Sequence, residues 1–418
     1  MTSSEFPSKR RLLVLLPFAP RLDATHGGGR VTAQLLAQLA VRHSIALLYL
    51  RAATEPPLDD VLRQRCELVE EIVRSEVGFS FARWISRVIS LLRGRPLWAA
   101  VTAVASFHAR VRVIAQTWRP DIVQIDCHVM GQYIPALDGC PAPRVLIEHE
   151  PGAKAARDLC EASKGLAKVR YRIAALAWDR FERSVIRQVQ AVVVFTESDR
   201  KVIAPFASEQ TPVIRIPLGT VISERPLDPI GRPPVSLLFV GNFVHPPNAD
   251  AAVRLIADIF PPLQAHFPGL VLQIVGDQPT PLMRRLANDK IIVTGRVPDI
   301  TPYLDAAAVV VVPLRLGGGM RVKVLEALAA GKAVIASPLA IEGFDVTAGE
   351  HVMLADTDQQ FHEAIVELLA DPDKRSSLAS RARAWACDHL GWERSVAAYE
   401  ELYDALVDGA LTRKSAMQ

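Results

Sequence analysis

Short, continuously apolar runs alternate with segments of helical periodicity along the whole chain. Parallel strands that are covered by helices on both faces are apolar throughout, so this alternation predicts an α/β protein made of two doubly wound, Rossmann-like parallel-sheet domains facing across a cleft. In the first half we predict strands at residues 12–16, 44–50, 121–126, 144–149 and 191–196. In the second half we predict strands at residues 236–241, 271–276, 290–295, 308–314 and 333–337.

The segment between the two halves, residues 217–234, contains five prolines and two glycines and has no apolar period, which predicts a linker. We therefore expect an amino-terminal domain over residues 1–216 and a carboxy-terminal domain over residues 235–390. Residues 391–418 include an amphipathic helix that could pack back on the first domain. Ligands of such sheets bind beyond the carboxyl ends of the strands, so we expect the active site between the domains.

Composition narrows the class of protein. A net charge of +3 over 418 residues gives no reason to expect a nucleic-acid partner. The five cysteines are scattered without a metal-binding spacing, which favours a reduced, cytoplasmic protein. Residues 9–19 imitate a secretory signal, but no cleavage site follows, and we interpret 12–16 as a buried first strand.

Residues 81–101 alternate arginines with tryptophan, isoleucine and leucine. This segment fits the anionic inner surface of a cell membrane, where it would admit a lipid-linked acceptor. It fits equally an ordinary surface helix whose arginines extend to solvent over their own domain. Both interpretations remain open at this point.

The strongest chemical signal lies in residues 309–337, where a buried strand, a glycine triplet at 317–319 and a helix follow one another. Glycine amides and a helix start form an anion site, and Arg321 and Lys323 beside them suit a diphosphate. Glu326, one turn further on, would repel phosphate but accept hydrogen bonds from paired hydroxyls such as a ribose diol. The alternative is a solvated helix face with a Lys–Glu pair. The helix is expected to start near Met320 and to stop at Gly331.

The second half of the chain resembles the donor domain of family 4 glycosyltransferases, which have the two-domain GT-B fold. The resemblance rests on LLFVGNFVHPPNADAA (237–252), LQIVGD (272–277), VTGRVPDITPYLDAAAVVVVPL (293–314), GGGMRVKVLEALAAGKAVIAS (317–337) and IEGF (341–344). The first half matches more loosely through HGGGR (26–30), PDIVQIDCH (120–128), LIEHE (146–150) and VFTESDR (194–200).

The resemblance implies a nucleotide-sugar donor and retention of the anomeric configuration. It implies that Arg321 and Lys323 hold the diphosphate, that Glu326 holds the ribose, and that Arg296 and Val297 border the base. Many members carry a glutamate eight positions before Glu326 that touches the transferred sugar, and this chain has glycine there. The amides expected to replace it and to contact the diphosphate are those of Gly318, Gly319 and Met320.

Further cleft residues follow from the same resemblance. His128 occupies the place of a histidine that faces the transferred sugar, with a purely structural histidine as the alternative. His149 also ends a strand, but its acidic neighbours favour a solvated loop. Gly28 and Gly29 are further expected cleft-loop positions, with a plain tight turn as the alternative. Gly241 and His245 are expected there because they follow the first strand of the second half.

The sequence thus predicts a retaining glycosyltransferase that acts without metal or cofactor, since no metal-binding motif accompanies the glycine loop. Its expected partners are a nucleotide diphosphate sugar and a saccharide or lipid-linked acceptor, as in the assembly of surface polysaccharide or glycolipid. Two alternatives are a sugar-nucleotide epimerase on the same fold and a noncatalytic nucleotide-sugar-binding protein, the latter favoured by the missing glutamate.

Overall fold

The computed structural model describes residues 9–24, 27–74, 95–319 and 321–409, which form two fully parallel sheets. The seven strands of the first sheet, in the order β3-β2-β1-β4-β5-β6-β7, are Arg11–Leu16 (β1), Ser44–Ala52 (β2), Leu68–Arg74 (β3), Ile122–Asp126 (β4), Arg144–Glu148 (β5), Ala191–Val194 (β6) and Val213–Arg215 (β7). The six strands of the second, in the order β10-β9-β8-β11-β12-β13, are Ser236–Val240 (β8), Val271–Val275 (β9), Ile291–Gly295 (β10), Val309–Val312 (β11), Val334–Ala336 (β12) and Met353–Leu354 (β13). The predicted pair of doubly wound sheets is confirmed.

Helices cover both sheets. Those of the first half are Gly27–Arg42 (α1), Asp60–Arg65 (α2), Leu97–Val101 (α3), Ala105–Thr117 (α4), Gly152–Ala162 (α5), Gly165–Ile186 (α6) and Glu197–Ile203 (α7), with 3₁₀ segments at His128–Leu137 and Ala204–Phe206. Those of the second half are Pro246–Arg254 (α8), Phe260–His266 (α9), Pro281–Leu286 (α10), Thr301–Ala306 (α11), Val322–Ala329 (α12), Asp358–Ala370 (α13), Pro372–His389 (α14) and Trp392–Val407 (α15). A π-helical turn at Leu255–Ile259 joins α8 to α9, and Pro338–Ile341 is a 3₁₀ turn.

All ten predicted strands are present, whereas β3, β7 and β13 were not predicted. Each of the three lies at the edge of its sheet. An edge strand is not buried on all sides and therefore lacks the continuous apolar run on which the prediction relied. In β3 every residue is at least partly exposed, and in the other two the strand is only three and two residues long.

The order of the strands creates a crevice in each sheet. The connection changes direction between β1 and β4 in the first sheet, and between β8 and β11 in the second. Loops that leave neighbouring strands in opposite directions open a space at the carboxyl ends of those strands. The two crevices together line one cleft between the domains.

Two segments connect the domains. Residues 217–234 contain neither helix nor strand. Helix α15 follows the second domain but lies against the first, where Trp392 Nε1 donates to Gln34 Oε1 at 3.2 Å and Arg42 pairs with Glu400 at 2.7 Å. The chain therefore crosses between the domains twice.

None of the helices among the described residues combines the length and the apolar character needed to cross a bilayer. The predicted membrane-surface segment, residues 81–101, falls mostly outside the described residues, which resume at residue 95.

Candidate functional site

The glycine loop between β11 and α12 is shaped by Arg321. Gly317 and Gly319 have φ values of 107° and 69°, which residues with a side chain rarely adopt. The Arg321 guanidinium, only 8% exposed, donates to the carbonyl oxygens of Gly319 at 2.6 Å and of Gly317 at 2.8 Å. Arg321 was expected in the first turn of the helix as a diphosphate ligand. It precedes α12, which starts at Val322, and it holds the loop in place. Arg321 also lines the cleft, so its contact with a diphosphate stays a prediction.

Lys323 is the cation that the loop leaves without an anionic partner. Its Nζ donates to Asn248 Oδ1 at 2.5 Å and lies 4.4 Å from the centre of the Phe239 ring. Among the described residues it forms no ion pair with a carboxylate. Burial, reinforced by the positive charge of Arg321, lowers the pKa of Lys323 to about 7. A diphosphate that enters the site would stabilise the charged form of Lys323.

Glu326 is held from the opposite domain. The Nη2 of Arg30 donates to its two carboxylate oxygens at 2.7 and 3.0 Å, and Nε donates to Oε1 at 3.1 Å. Both side chains are about four-fifths buried, with 21% and 19% exposure. The alternative of a solvated helix face therefore does not describe Arg321 or Glu326. Sequence reasoning missed Arg30, although it belongs to the quoted HGGGR segment.

The other predicted cleft positions divide into two groups. Those that line the cleft are Gly28, Gly241, His245, Arg296 and Val297, with Gly318 and Gly319 of the loop. Gly29 is buried within α1, because the glycine triplet 27–29 forms the first turn of that helix and not a turn before it. Met320 lies outside the described residues.

His128 lies in a buried cluster of side chains in the wall of the cleft. It is 2% exposed, its Nδ1 is 2.6 Å from Glu148 Oε1, and its ring meets Trp178 edge-on at 4.5 Å. Burial lowers the pKa of His128, but the charge of Glu148 and its hydrogen bond outweigh burial and raise it overall. Because His128 lines the cleft, its contact with the transferred sugar stays a prediction beside the structural alternative.

His149 and Glu150, which follow β5, were wrongly expected in a solvated loop. Both line the cleft. His149 Nε2 lies 3.1 Å from Asp126 Oδ1, and its ring packs edge-on against Phe195 at 5.3 Å. Glu150 Oε1 accepts a hydrogen bond from the Gly318 amide at 2.7 Å. The acidic neighbours suggested exposure, yet the better signal was the position of both residues at the carboxyl end of a central strand.

One group of metal-ligand side chains occurs among the described residues. It consists of His128, Glu148 and Glu182, whose ligand atoms lie within 4.8 Å of one another. The carboxylate of Glu182 accepts from the first amide of α5 at 2.5 Å, and burial raises the pKa of Glu182 to about 7. One proton shared among the three side chains can therefore offset part of their negative charge. Metal independence stays a prediction. Two Asp-X-Asp triplets, 356–358 and 371–373, begin α13 and α14 and do not line the cleft.

The cleft has a volume of about 1090 Å³ and takes its walls from both domains. Residues 234–371, which contain the whole glycine-loop site, match the family described as glycosyl transferases group 1. Most of the carboxy-terminal domain is thus similar to this family.

One curated sequence and several solved structures are also similar to this chain. An uncharacterized glycosyltransferase of Methanocaldococcus jannaschii is 23% identical over 185 residues, which are 42% of this chain and 46% of that protein. The alignment thus spans less than half of this curated relative.

Sucrose-phosphate synthase from Thermosynechococcus elongatus superposes with a TM-score of 0.71 at 17% identity, covering 96% of this chain and all of that one. Anabaena HepE, in complex with UDP-glucose, superposes with a TM-score of 0.63 at 14% identity, covering 94% and 99%. These likenesses confirm the predicted GT-B fold.

Proposed function

We propose that this protein is a retaining, metal-independent glycosyltransferase that moves a sugar from a nucleoside diphosphate sugar to a hydroxyl acceptor. The proposal rests on one observation: the glycine loop, Lys323 and Glu326 lie together on one side of an interdomain cleft. Such a site offers amide and ammonium donors for a diphosphate and a carboxylate for a diol.

In this proposal Lys323, the other loop amides and the start of α12 stabilise the charge that develops on the departing diphosphate. The Gly318 amide, which was also expected to contact the diphosphate, donates to Glu150 instead. Arg321 keeps the loop in the shape that presents those amides. Glu326 binds the ribose, and the backbone at Arg296 and Val297 borders the base. The leaving phosphate accepts the proton of the acceptor hydroxyl, which attacks from the same face.

His149 is a second candidate for the role first assigned to His128. Asp126 orients its imidazole, and the side chain lines the cleft with Phe195 behind it. A histidine held in this way can donate to the transferred sugar or to the leaving group.

Uridine is the first base to test, because HepE of Anabaena was solved with UDP-glucose and TarM of Staphylococcus aureus with UDP. The purified protein is incubated with a panel of nucleotide sugars and saccharide or lipid-linked acceptors, and release of free nucleotide is measured. We expect turnover of at least one donor, unchanged by a chelator, with NMR showing a retained anomer. A folded protein that binds no donor would contradict the proposal, and binding without turnover would favour the noncatalytic alternative.

One surface supports an acceptor attached to lipid. Helix α6 exposes an apolar stripe at spacings of three and four residues, and its inner side lines the cleft through Tyr171 and Trp178. The stripe consists of Leu166, Val169, Ile173 and Leu176. Lysines and arginines interleave with it, a composition suited to an anionic bilayer surface. In a flotation assay we expect the protein to bind anionic vesicles and rise with them. We expect it not to bind zwitterionic vesicles.

A further inference from the structure

The loop amide of Gly318 is bound by a carboxylate from the opposite domain. Glu150, two residues after the end of β5, accepts from the Gly318 N–H at 2.7 Å. Its second oxygen lies 3.6 Å from His245 Nε2, on the cleft loop after β8. Glu150 therefore lies between two groups of the second domain, at the edge of the proposed diphosphate site.

Gly318 is the glycine of the triplet whose backbone does not require glycine. Gly317 and Gly319 lie in the left-handed region, whereas Gly318 does not. A Cβ placed at position 318 would lie 3.2 Å from Glu150 Cγ and 3.3 Å from Glu150 Oε1, and its three nearest atoms all belong to Glu150. The Glu150 carboxylate thus fills the space that a side chain at position 318 would occupy.

The surroundings of Glu150 favour its ionised form. Burial alone would raise the pKa of Glu150, but the nearby His245, the hydrogen bond from the Gly318 amide and the charge of Arg321 together lower it to about 2. A permanent anion beside a diphosphate site is repelled by phosphate. It is suited to neutral donors, and a carboxylate has about four acceptor positions, of which the Gly318 amide uses one.

We infer that Glu150 accepts a hydrogen bond from a hydroxyl of the transferred sugar, and that it does so in place of a side chain at position 318. The inference rests on the proposed function, because it specifies how the same cleft recognises the sugar. It makes Glu150 a specificity-determining residue supplied by the first domain to a donor held by the second.

The first test separates sugar from nucleotide. Binding of the nucleoside diphosphate and of the nucleotide sugar is measured by calorimetry for the wild type, Glu150→Ala, the isosteric Glu150→Gln and, as a control, exposed Glu161→Ala. We expect Glu150→Ala to weaken nucleotide-sugar binding about tenfold and Glu150→Gln about threefold or more, with nucleoside diphosphate binding unchanged within twofold. Glu161→Ala should leave both unchanged. Equal weakening of both ligands by Glu150→Ala would show that Glu150 only positions the loop, and tighter binding of both would show that it only competes with the diphosphate. Either result would overturn the inference.

The second test moves the carboxylate. Gly318→Glu alone brings a second carboxylate against Glu150 and is expected to weaken nucleotide-sugar binding. Gly318→Glu combined with Glu150→Ala removes both the steric and the charge conflict, and we expect it to bind nucleotide sugar at least threefold more tightly than Glu150→Ala alone. A double variant that is folded by circular dichroism yet no better than Glu150→Ala would overturn the inference.

The two levels of failure are distinguishable. If the wild type binds no nucleotide sugar, the proposed function fails and the inference fails with it. If the wild type binds a nucleotide sugar and the Glu150 variants bind it equally well, the inference alone fails.

Discussion

Three charged side chains at the start of α12 differ in their partners, and the partners determine their roles. Arg321 is bound by the loop carbonyls, Glu326 by Arg30, and Lys323 by one amide oxygen. Guanidinium can bridge two carbonyl oxygens because its donors form a planar fork, whereas an ammonium is a compact charge. The structure therefore assigns loop geometry to Arg321 and leaves the unpaired positive charge at Lys323.

Binding of nucleotide sugar is expected to weaken as pH rises above 7. In the empty site the pKa of Lys323 is lowered to about 7, so the lysine is charged below that pH and largely neutral above it. A diphosphate binds the charged form, so the affinity is full at low pH and falls up to about tenfold per pH unit above about 7. Calorimetry between about pH 6 and about pH 8.5 measures this slope. Lys323→Met should bind more weakly and with a flat profile, and a slope that survives the substitution would exclude Lys323 as its source.

Arg321→Lys is expected to lower donor affinity about tenfold, equivalent to about 1.4 kcal/mol, although it keeps the charge. The reason is that lysine cannot bridge the carbonyls of Gly317 and Gly319. Arg315→Lys, in the same loop but paired with Asp250 at the surface, serves as the control and should change affinity less than twofold. Equal affinities of Arg321→Lys and the wild type would show that charge alone matters at this position.

At the scale of elements, α15 supports His149 through a chain of buried hydrogen bonds. The Tyr403 hydroxyl donates to Gln124 Oε1 at 2.5 Å, and Gln124 Nε2 donates to Asp126 Oδ2 at 2.6 Å. The other oxygen of Asp126 lies 3.1 Å from His149 Nε2. A helix from the end of the chain thus orients a side chain at the end of β5.

Tyr403→Phe is expected to destabilise the protein by about 1–3 kcal/mol, because it leaves the buried amide oxygen of Gln124 without its donor. Tyr399, on the same helix, provides the control. It is equally buried, and its hydroxyl has no hydrogen-bond partner among the described residues. Tyr399→Phe should therefore be neutral or stabilising. Unfolding midpoints measured by calorimetry check both, and similar midpoints for the two variants would rule out the hydrogen-bond chain as a source of stability.

At the scale of the whole molecule, the domains are tied together across the cleft by side chains of the first domain. Arg30 binds Glu326, Glu150 binds the Gly318 amide, and Lys154 Nζ lies 3.4 Å from the Gly317 carbonyl oxygen. These contacts engage the groups proposed to bind the donor. Closure of the cleft and occupation of the site are therefore coupled.

Arg30→Ala is expected to open the donor-free protein. A partly buried ion pair contributes about 1 kcal/mol, and its loss shifts the balance toward open forms roughly fivefold. Small-angle X-ray scattering should show a larger radius of gyration for Arg30→Ala than for the wild type. Arg200→Ala, which removes an ion pair with Glu197 within α7, should not change it. Identical scattering of all three proteins would mean that the linker and α15 alone hold the domains together.

The sequence by itself determined what depends on neighbours in the chain. Apolar runs predicted the interior strands, the proline-rich segment marked the division between the sheets, and residues 309–337 predicted a loop and helix with charged groups beside them. These signals are local because strand burial, backbone conformation at glycine and helix spacing each act over a few residues.

Only the tertiary structure decided which of the charged and amide groups of the glycine-loop site are paired with other residues. Arg30 and Glu326 are 296 positions apart, and Glu150 and Gly318 are 168 positions apart, so no local pattern records either contact. The same limit explains why His149 and Glu150 were expected in solvent, since acidic neighbours in the chain suggest exposure until another domain covers them. Burial and pairing depend on what the fold brings from a distance, and they set the charge and the accessibility of each side chain in the cleft.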